Sequence, residues 1–382
     1  MIEKGKQYLV TGGAGLIGSH LVNALIDGGA KVTILDNLDQ QTHPHGKPDW
    51  INPKARFIHG DCRSREDWLS ALSDGVEYVF HQAAFGGFTP QLSLYMDSNA
   101  TGTALLFETI RDHKLPVKKI VAASSQAVYG ESGYRSRSGE IYYPATLRPL
   151  AQLQAGRWEM EHPQTGEVLA PIANPEDRPL YTETIYGVSK LAEEKLILGL
   201  GRYFGIPTVA LRYAVTYGPR QSLFNPYTGV VSIFSTQLLN DLPPVVYEDG
   251  EQTRDFLYVS DNVSANLTVM ANAAANYQVF SVGRTEAVTV NRLVNLLARY
   301  YKKNTAPNYT GEFRAADVRH FVHDSTRLRA LGWKPAVSLE DGLEHYVQWI
   351  SSQKDVREYF SAARDSMRTS GIVRGCAGSA SA

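Results

Sequence analysis

A glycine-rich turn between a strand-like and a helix-like segment constrains the fold of this chain most. Gln7–Val10 is short and apolar, as a buried strand is, and Ser19–Ile26 has helical periodicity. Gly12, Gly15 and Gly18 lie between them. Glycines in such a turn let the backbone approach a pyrophosphate at the helix N-terminus, where unpaired N–H groups favour an anion. The turn therefore predicts a dinucleotide-binding unit.

The second strand-like segment adds information about which dinucleotide is bound. Lys31–Leu35 is apolar and is followed by Asp36. An acid about 20 residues beyond the glycine turn accepts a hydrogen bond from the adenosine ribose and repels a 2′-phosphate. We therefore predict NAD rather than NADP. The alternative is a glycine-rich turn followed by an ordinary surface aspartate.

The alternation of strands and helices continues through the first third of the chain. Further strands are predicted at Arg56–Asp61, Glu77–Ala84 and Lys119–Ser125. Strands separated by helices imply right-handed crossovers and a parallel sheet. The predicted fold class is α/β, a Rossmann-type doubly wound parallel sheet that binds ligands beyond the carboxyl ends of its strands. Asp61, at one such end, is suitably placed for the adenine amine.

Composition excludes several classes of function. The formal net charge of −1 argues against a nucleic-acid partner. Two distant cysteines, Cys62 and Cys376, exclude a disulfide framework and a multi-cysteine metal site, so we predict no metal. No segment is apolar enough to span a bilayer, and the N-terminus lacks a signal-peptide pattern. These features predict a cytoplasmic protein without a membrane partner.

Tyr186 and Lys190 form a candidate acid–base pair. Their four-residue spacing places both side chains on one face of a helix. An ammonium near a phenol favours the phenolate, which can move a proton to or from an alcohol. The same spacing also arises by chance on solvated helices, so its meaning depends on the rest of the chain.

With the motif Ser124–Gly130 added to those before it, the chain resembles the extended short-chain dehydrogenases/reductases of the nucleotide-sugar epimerase/dehydratase family. The resemblance covers roughly residues 5–350 and rests on motifs that occur in a fixed order. It implies an NAD-binding domain at 1–213 and a smaller mixed α/β substrate domain at 214–364, and it leaves open whether a strand or helix returns from the second domain to the first. The small, polar and patternless composition of the C-terminus predicts a flexible tail at 365–382. The motifs are the glycine turn, Asp36, Gly60-Asp61, His81–Ala84, Asn99–Thr103, Ser124–Gly130, Tyr186/Lys190, Leu211–Tyr213, Tyr217–Arg220, Gln252–Phe256, Asp261, Asp317–Arg319 and Leu331–Trp333.

The resemblance also implies roles for individual residues. Ser125 is expected to hydrogen-bond the sugar hydroxyl that is oxidised, although a serine at a strand end can simply cap the next turn. Catalytic roles are implied for Ser125, Tyr186 and Lys190. Cofactor contacts are implied for Gly12, Gly15, Leu16, Ile17, Gly18, Asp36, Asn37, Asp61, Cys62, Ala83, Ala84, Asn99, Ser124, Tyr186, Lys190 and Tyr213. Substrate contacts are implied for Phe85, Ser125, Gln126, Thr216, Arg254 and Arg319, with Arg220 a weaker candidate.

The two residues that directly follow the serine pair help to distinguish between the possible reactions. Dehydratases of the family carry an acid at this point, because elimination must protonate the departing hydroxyl. This chain has Gln126 and Ala127, which cannot titrate. Dehydration is therefore disfavoured, and decarboxylases, which usually keep an acid there, are less favoured. Epimerisation at C4 remains.

The segment 131–178 is an insertion that interrupts the α/β alternation. It is rich in turn signals, and a lid over the substrate and a surface or oligomer contact are equally open interpretations. The insertion and the later motifs most resemble the dTDP-L-rhamnose 4-epimerases. Members of that group tend to have cysteine pairs in the insertion, which this chain lacks, so a thiolate metal site there is excluded. Ala214–Thr216 also lacks the asparagine usual in the family, and Thr216 is its candidate replacement.

The resulting hypothesis is an NAD-dependent epimerase of a nucleotide-diphosphate sugar, with dTDP-L-rhamnose and dTDP-6-deoxy-L-talose as the favoured pair. Tyr186 removes the 4-hydroxyl proton, Ser125 orients that hydroxyl, and Lys190 holds the nicotinamide ribose and lowers the tyrosine pKa. Arg254 and Arg319 anchor the diphosphate. The alternatives are an epimerase of a UDP- or GDP-sugar, a nucleotide-sugar oxidoreductase or decarboxylase, and a non-catalytic NAD-binding protein. By analogy with the family, we expect a homodimer.

Overall fold

The computed structural model describes residues 2–86, 91–225 and 229–376. The strands of these ranges, in chain order, are β1 (Gln7–Thr11), β2 (Lys31–Asp36), β3 (Arg56–His59), β4 (Tyr78–His81), β5 (Lys119–Ser125), β6 (Gly133–Arg135), β7 (Ile141–Tyr142), β8 (Ala170–Ile172), β9 (Thr208–Tyr213), β10 (Val215–Tyr217), β11 (Val245–Val246), β12 (Thr253–Arg254), β13 (Phe256–Tyr258), β14 (Gln278–Val282), β15 (Val288–Thr289), β16 (Asn308–Tyr309), β17 (Glu312–Arg314) and β18 (Val373–Gly375).

The α-helices of the same ranges are α1 (Leu16–Asp27), α2 (Arg65–Leu72), α3 (Leu92–Tyr95), α4 (Gly102–Asp112), α5 (Leu150–Gln154), α6 (Ile185–Phe204), α7 (Val230–Leu239), α8 (Val259–Ala271), α9 (Val290–Tyr300), α10 (Thr326–Ala330), α11 (Leu339–Ser351) and α12 (Phe360–Thr369). A π-helical stretch, Met96–Thr101, joins α3 to α4, and short 3₁₀ turns cover Gln126–Tyr129 and Ala273–Ala275. No helix of the described ranges is long and apolar enough to cross a membrane.

A seven-stranded sheet forms the centre of the larger lobe. Its order is β14-β9-β5-β4-β1-β2-β3, and every neighbouring pair is parallel. Strands β5 and β9 are buried along their whole length, as strands covered by helices on both faces must be. The prediction of a Rossmann-type parallel sheet is confirmed. The carboxyl ends of β1, β2, β4, β5 and β9 lie along one edge of this sheet.

Helices cover the two faces of the sheet and form two apolar cores. On one face, Leu21 and Leu25 of α1 pack with Ala265 and Val269 of α8. On the other face, Trp68, Leu106 and Ile197 represent α2, α4 and α6. Strand β14 and helix α8 therefore return from the C-terminal half of the chain to the larger lobe.

The smaller lobe has a core of its own. This core joins α7, α9, α11 and α12 through residues that include Phe234, Leu293, Leu343 and Phe360. The amphipathic helix expected at Val288–Leu297 is α9, which runs from Val290 to Tyr300 and buries Val290, Leu293, Val294 and Leu297.

The expected flexible tail is structured over most of its length. Helix α12 extends to Thr369, and β18 pairs antiparallel with β17. Phe360, Ala363 and Met367 recur at helical spacing and are buried, and Val373 is buried beside them. The apolar periodicity extends past residue 365 and accounts for the difference. Only residues 377–382 of the expected tail lie outside the described ranges.

The insertion 131–178 forms a small three-stranded antiparallel sheet with one helix between its second and third strands. Its strands have the order β7-β6-β8, and α5 lies between β7 and β8. Tyr134, Met160 and Leu169 make a minor apolar cluster inside it. The insertion thus has a core, unlike an irregular surface loop.

Candidate active site

The glycine turn is folded so tightly that its backbone leaves no room for a side chain at Gly12 or Gly18. Gly12 has a φ of +66°, and a Cβ there would lie 2.8 Å from the amide nitrogen of Ala83. At Gly18, a Cβ would lie 2.1 Å from the carbonyl oxygen of Gly12. Gly15 precedes α1 and provides no side-chain cap, so N–H groups of the first helical turn remain available to an anion. The turn fits a diphosphate that lies against its backbone.

A cleft runs along the carboxyl ends of the strands in two adjoining halves. The first half, of ≈ 310 Å³, is lined by Asp36 and neighbouring residues. The Asp36 carboxylate accepts hydrogen bonds from the amides of Ala14 and Leu38, both at 2.9 Å. A carboxylate has about four lone-pair sites, so two remain for ribose hydroxyls. The donors and acceptors in this half fit an adenosine without a 2′-phosphate.

Asn37, Asp61 and Cys62 border the same half, as predicted. Burial raises the pKa of Asp61, but hydrogen bonds from Arg63 and Asn37 outweigh burial and lower this pKa to about 2. Burial raises the pKa of the Cys62 thiol far above its ordinary value. This rim of the cleft therefore offers one fixed negative charge and one neutral thiol.

Asn99 is buried next to the first half of the cleft and holds the loop that lines it. Its side-chain oxygen accepts from the Phe85 amide at 2.8 Å, and its Nδ2 donates to the Phe85 carbonyl and to Ser189 Oγ. Asn99 therefore positions the loop after β4, in which Ala83, Ala84 and Phe85 line the first half. Phe85, predicted as a substrate contact, lies in this first half, and Asn99 acts through the loop.

The second half of the cleft, of ≈ 380 Å³, brings Ser125 and Tyr186 together. Ser125 ends β5, and its Oγ accepts from the Ala127 amide at 3.1 Å. Ser125 thus caps the 126–129 turn and still has its O–H to donate. Tyr186, in the first turn of α6, is half-buried with its ring centroid 6.4 Å from that of Tyr95. Leu16, Ile17 and Gly18 line this half as well.

Tyr186 and Tyr213 are the ionisable residues among the described lining of the second half. The Tyr213 hydroxyl lies within hydrogen-bond distance of Gln82 Oε1 (2.9 Å) and Asn266 Oδ1 (3.0 Å). Burial raises the pKa of Tyr213 well above its ordinary value. Tyr186 is therefore the group in this half that is available for proton transfer.

Lys190 lies one turn beyond Tyr186 on α6 and is 1% exposed. Its ammonium donates to Glu193, which is equally buried. From the sequence this ammonium is predicted to serve the tyrosine and a ribose, and the pairing with Glu193 is not predicted. An acid three residues after a lysine on a helix was the signal that could have revealed the pair.

Ser124 borders the second half, but its hydroxyl is turned into a buried network. Its Oγ donates to Glu194 at 2.7 Å, and Glu194 accepts two hydrogen bonds from Arg212. Ser124 thus joins the end of β5 to α6. Gln126, predicted as a substrate contact, lies in the following turn with its side-chain oxygen buried and without a partner among the described residues.

Comparison with known proteins agrees with this geometry. The model of the NAD dependent epimerase/dehydratase family matches residues 8–152 and 159–283. This chain belongs to that family. The dTDP-L-rhamnose 4-epimerase of Burkholderia thailandensis is 34% identical over 92% of this chain and 96% of its own length. A putative UDP-glucose 4-epimerase of Methanocaldococcus jannaschii is 33% identical over 90% of this chain and 98% of its own length.

Solved structures of family members have the same fold. The UDP-glucose 4-epimerase of Thermotoga maritima, solved with UDP-glucose, has a TM-score of 0.73 and 30% identity, covering 90% of this chain and 98% of its own. The UDP-glucuronic acid 4-epimerase of Bacillus cereus, in complex with UDP-glucuronic acid and NAD, has a TM-score of 0.73 and 26% identity, covering 90% and 99%. The predictions of an NAD-dependent enzyme of the nucleotide-sugar epimerase class and of NAD as its cofactor are confirmed.

The two arginines expected to hold the substrate diphosphate are both engaged within the protein. Arg254 donates to Asp317 at 2.6 Å and to backbone carbonyls. Arg319 is 1% exposed and pairs with Glu159, Glu248 and Asp249. Neither arginine is among the residues that line the two halves of the cleft.

Buried or half-buried ion pairs, some of which include Arg319, connect the insertion 131–178 to the smaller lobe. Arg148 of the insertion is buried and pairs with Glu248 at 2.8 Å. Glu159 of the insertion accepts from Arg319 and from His320. Because these partners are buried or half-buried on both sides, the insertion is a fixed wall of the smaller lobe.

Thr216 lines the second half of the cleft at the position where the family usually has an amide nearby. Its hydroxyl donates to the Ala214 carbonyl and accepts from Asn262 Nδ2 at 3.1 Å. Asn262, on α8, is fully buried. This amide could not be predicted from the local motif because it lies 46 residues further along the chain.

Two loops meet across the outer edge of the cleft. Ser222 Oγ donates to the Thr42 carbonyl, and His20 lies 3.0 Å from the Pro219 carbonyl. Arg220, the weaker arginine candidate, reaches back to the Asn23 side chain of α1 at 2.9 Å. Arg220 therefore joins the segment after β10 to the larger lobe.

Proposed function

We propose that this protein is a nucleotide-sugar 4-epimerase that inverts C4 through a transient 4-keto intermediate. The observation that carries the proposal is the composition of the second half of the cleft. Ser125 and Tyr186 lie together there, and no described lining residue of this half has a carboxylate. Elimination of water needs an additional acid, whereas epimerisation needs a single base that takes and returns one proton.

The protein side chains account for the proton steps. Tyr186, as phenolate, accepts the proton of the 4-hydroxyl, and Ser125 orients that hydroxyl through its free O–H. The hydroxyl recovers the same proton from Tyr186 after the sugar turns. Bound NAD supplies the hydride acceptor and donor for C4. The glycine turn, Asp36 and the alanines after β4 are the residues that would hold NAD.

The dTDP-L-rhamnose/dTDP-6-deoxy-L-talose pair is the substrate that we favour. It is supported by the similarity to the relative from Burkholderia thailandensis. A UDP-hexose is the second candidate, because the relative from Methanocaldococcus jannaschii is almost equally similar. A nucleotide-sugar oxidoreductase or decarboxylase would use the same tyrosine and would consume or release reducing equivalents.

The direct test is to incubate the enzyme with dTDP-L-rhamnose, UDP-glucose and GDP-mannose without added reductant. NMR should show inversion at C4 for one of them, with no net NADH. Tyr186→Phe should lower turnover by about 10³-fold, within the range for loss of a general base. Tyr181→Phe, an exposed tyrosine just before α6, should keep turnover. Stoichiometric NADH formation or loss of carbon dioxide would contradict epimerisation.

We also propose that the protein is a homodimer that associates through α6. Tyr203 is 81% exposed on this helix, and Val188 and Leu92 are exposed beside it. A large aromatic ring exposed to this extent is removed from water when a second copy of the chain packs against the helix, which favours association. Sedimentation should give a dimer for the wild type and a monomer for Tyr203→Glu. A wild-type monomer at micromolar concentration would exclude the dimer. We further propose a cytoplasmic location, which the presence of only two cysteines in the whole chain supports.

A further inference from the structure

The catalytic helix places three ionisable side chains on one stripe. Tyr186, Lys190 and Glu193 occupy positions i, i+4 and i+7 of α6, so that the ammonium lies between the phenol and the carboxylate along the helix. Lys190 and Glu193 are both 1% exposed and form an ion pair. The other oxygen of Glu193, Oε1, has no hydrogen-bond partner among the described residues. This carboxylate is therefore kept in the interior chiefly by the lysine.

The groups around this pair do not provide a competing countercharge. Cys62, on the loop after β3, and Tyr213, at the end of β9, are neutral because burial raises the pKa of each. Burial, aided by the Lys190 ammonium, lowers the pKa of His81 at the end of β4 to about 3, so this ring is neutral as well. Glu194, the next residue on α6, is committed to Arg212. Glu193 is the partner that the structure gives Lys190. Burial raises the pKa of Glu193 to about 7, although the Lys190 ammonium opposes this, so the pair is fully ionised only above that pH.

We propose that Glu193 is a positioning residue that keeps Lys190 charged and in place, and thereby sets the proton affinity of Tyr186. A buried ammonium without a countercharge loses its proton easily, since burial disfavours the charged form. A neutral lysine no longer favours the phenolate. Glu193 thus acts on the reaction through Lys190, two helical turns from the base. The inference rests on the proposed role of Tyr186 and extends it.

Tyr186 ionisation can be measured without any sugar substrate. The tyrosinate absorbance of the NAD-bound enzyme is titrated, and the spectrum of Tyr186→Phe at the same pH is subtracted. In Glu193→Gln we expect the Tyr186 titration to move up by about one pH unit or more, because a neutral lysine no longer provides the opposite charge that favours the phenolate. Glu193→Asp should move it less in the same direction. The apparent pKa of the acid limb in the pH profile of kcat/KM should rise in the same order of variants.

Two further variants separate this role from a general loss of stability. Glu312→Gln removes a buried carboxylate paired with Arg364 and Arg368 in the smaller lobe, and it should leave the Tyr186 titration unchanged. In a Lys190→Met background, Glu193→Gln should cause no further shift. The proposal is overturned if the Tyr186 titration stays in place or moves to lower pH in both Glu193→Gln and Glu193→Asp. It is also overturned if Glu193→Gln shifts the titration by the full amount in the Lys190→Met background. Because the titration needs no sugar, a wrong choice of substrate would not affect it.

Discussion

The buried imidazole of His81 should make the stability of the protein depend on pH in mild acid. His81 is fully buried at the end of β4, with Nδ1 2.8 Å from Thr11 Oγ1 and Nε2 3.1 Å from Thr103 Oγ1. Thr11 Oγ1 accepts from the Ala83 amide and has its own hydrogen left for Nδ1. Nε2 therefore has the ring proton. A second ring proton, on Nδ1, would point at the Thr11 hydroxyl hydrogen, so the charged imidazole has no acceptor on that side.

The size of the effect follows from the pKa. Burial, together with the Lys190 ammonium, lowers the pKa of His81 to about 3, whereas an unfolded histidine titrates near 6.5. Because the folded-state pKa is the lower one, the stability from this group is complete above pH 6.5 and is lost as the pH falls toward 3. Each unit of pH in that window costs about 1.4 kcal/mol, which is about 2 kcal/mol at pH 5.

Urea unfolding, monitored by the fluorescence of tryptophans such as Trp68, 5.5 Å from the His81 ring, measures this dependence at pH 7.5 and 5.0. We expect the wild type to lose about 2 kcal/mol more than His81→Asn between these pH values. The variant should be less stable at pH 7.5, because it loses ring packing. The exposed His113→Asn is the control and should follow the wild type. Equal losses in the wild type and His81→Asn would refute the reasoning.

Three other experiments test separate parts of the structure. Gly18→Ala forces a Cβ against a carbonyl oxygen at 2.1 Å and should weaken NAD binding, measured by calorimetry, by tenfold or more; Gly199→Ala, with no atom within 4 Å, should not. Glu248→Gln removes the negative charge that two buried arginines share and should cost about 3 kcal/mol of folding free energy. The substitution should also speed proteolysis of the insertion, and an unchanged digestion rate would argue against a rigidly held insertion. Iodoacetamide at pH 8 should label Cys376 before the buried Cys62, as mass spectrometry can show, and the reverse order would contradict the described burial.

Much of the site could be predicted because it depends on short-range order. A strand, a glycine turn and a helix can be recognised within about 20 residues, and parallel strands bring their carboxyl ends to one edge whatever their distance in sequence. Gly18, Asp36, Ser125 and Tyr186 were therefore predicted together, and the structure places all four along one cleft. The same local logic, applied to apolar spacing beyond residue 365, would also have predicted α12.

The sequence by itself determined the sheet, the glycine turn and the base on its helix, since each follows from local spacing and residue type. Tertiary structure decided the partners of the charged groups. Arg319 was predicted to meet a diphosphate, but it is enclosed by carboxylates, one of which, Glu159, lies 160 residues away in the chain. Lys190 was assigned to Tyr186, but burial pairs it with Glu193. A buried charge must have a countercharge, and only packing over long range determines which one is within reach.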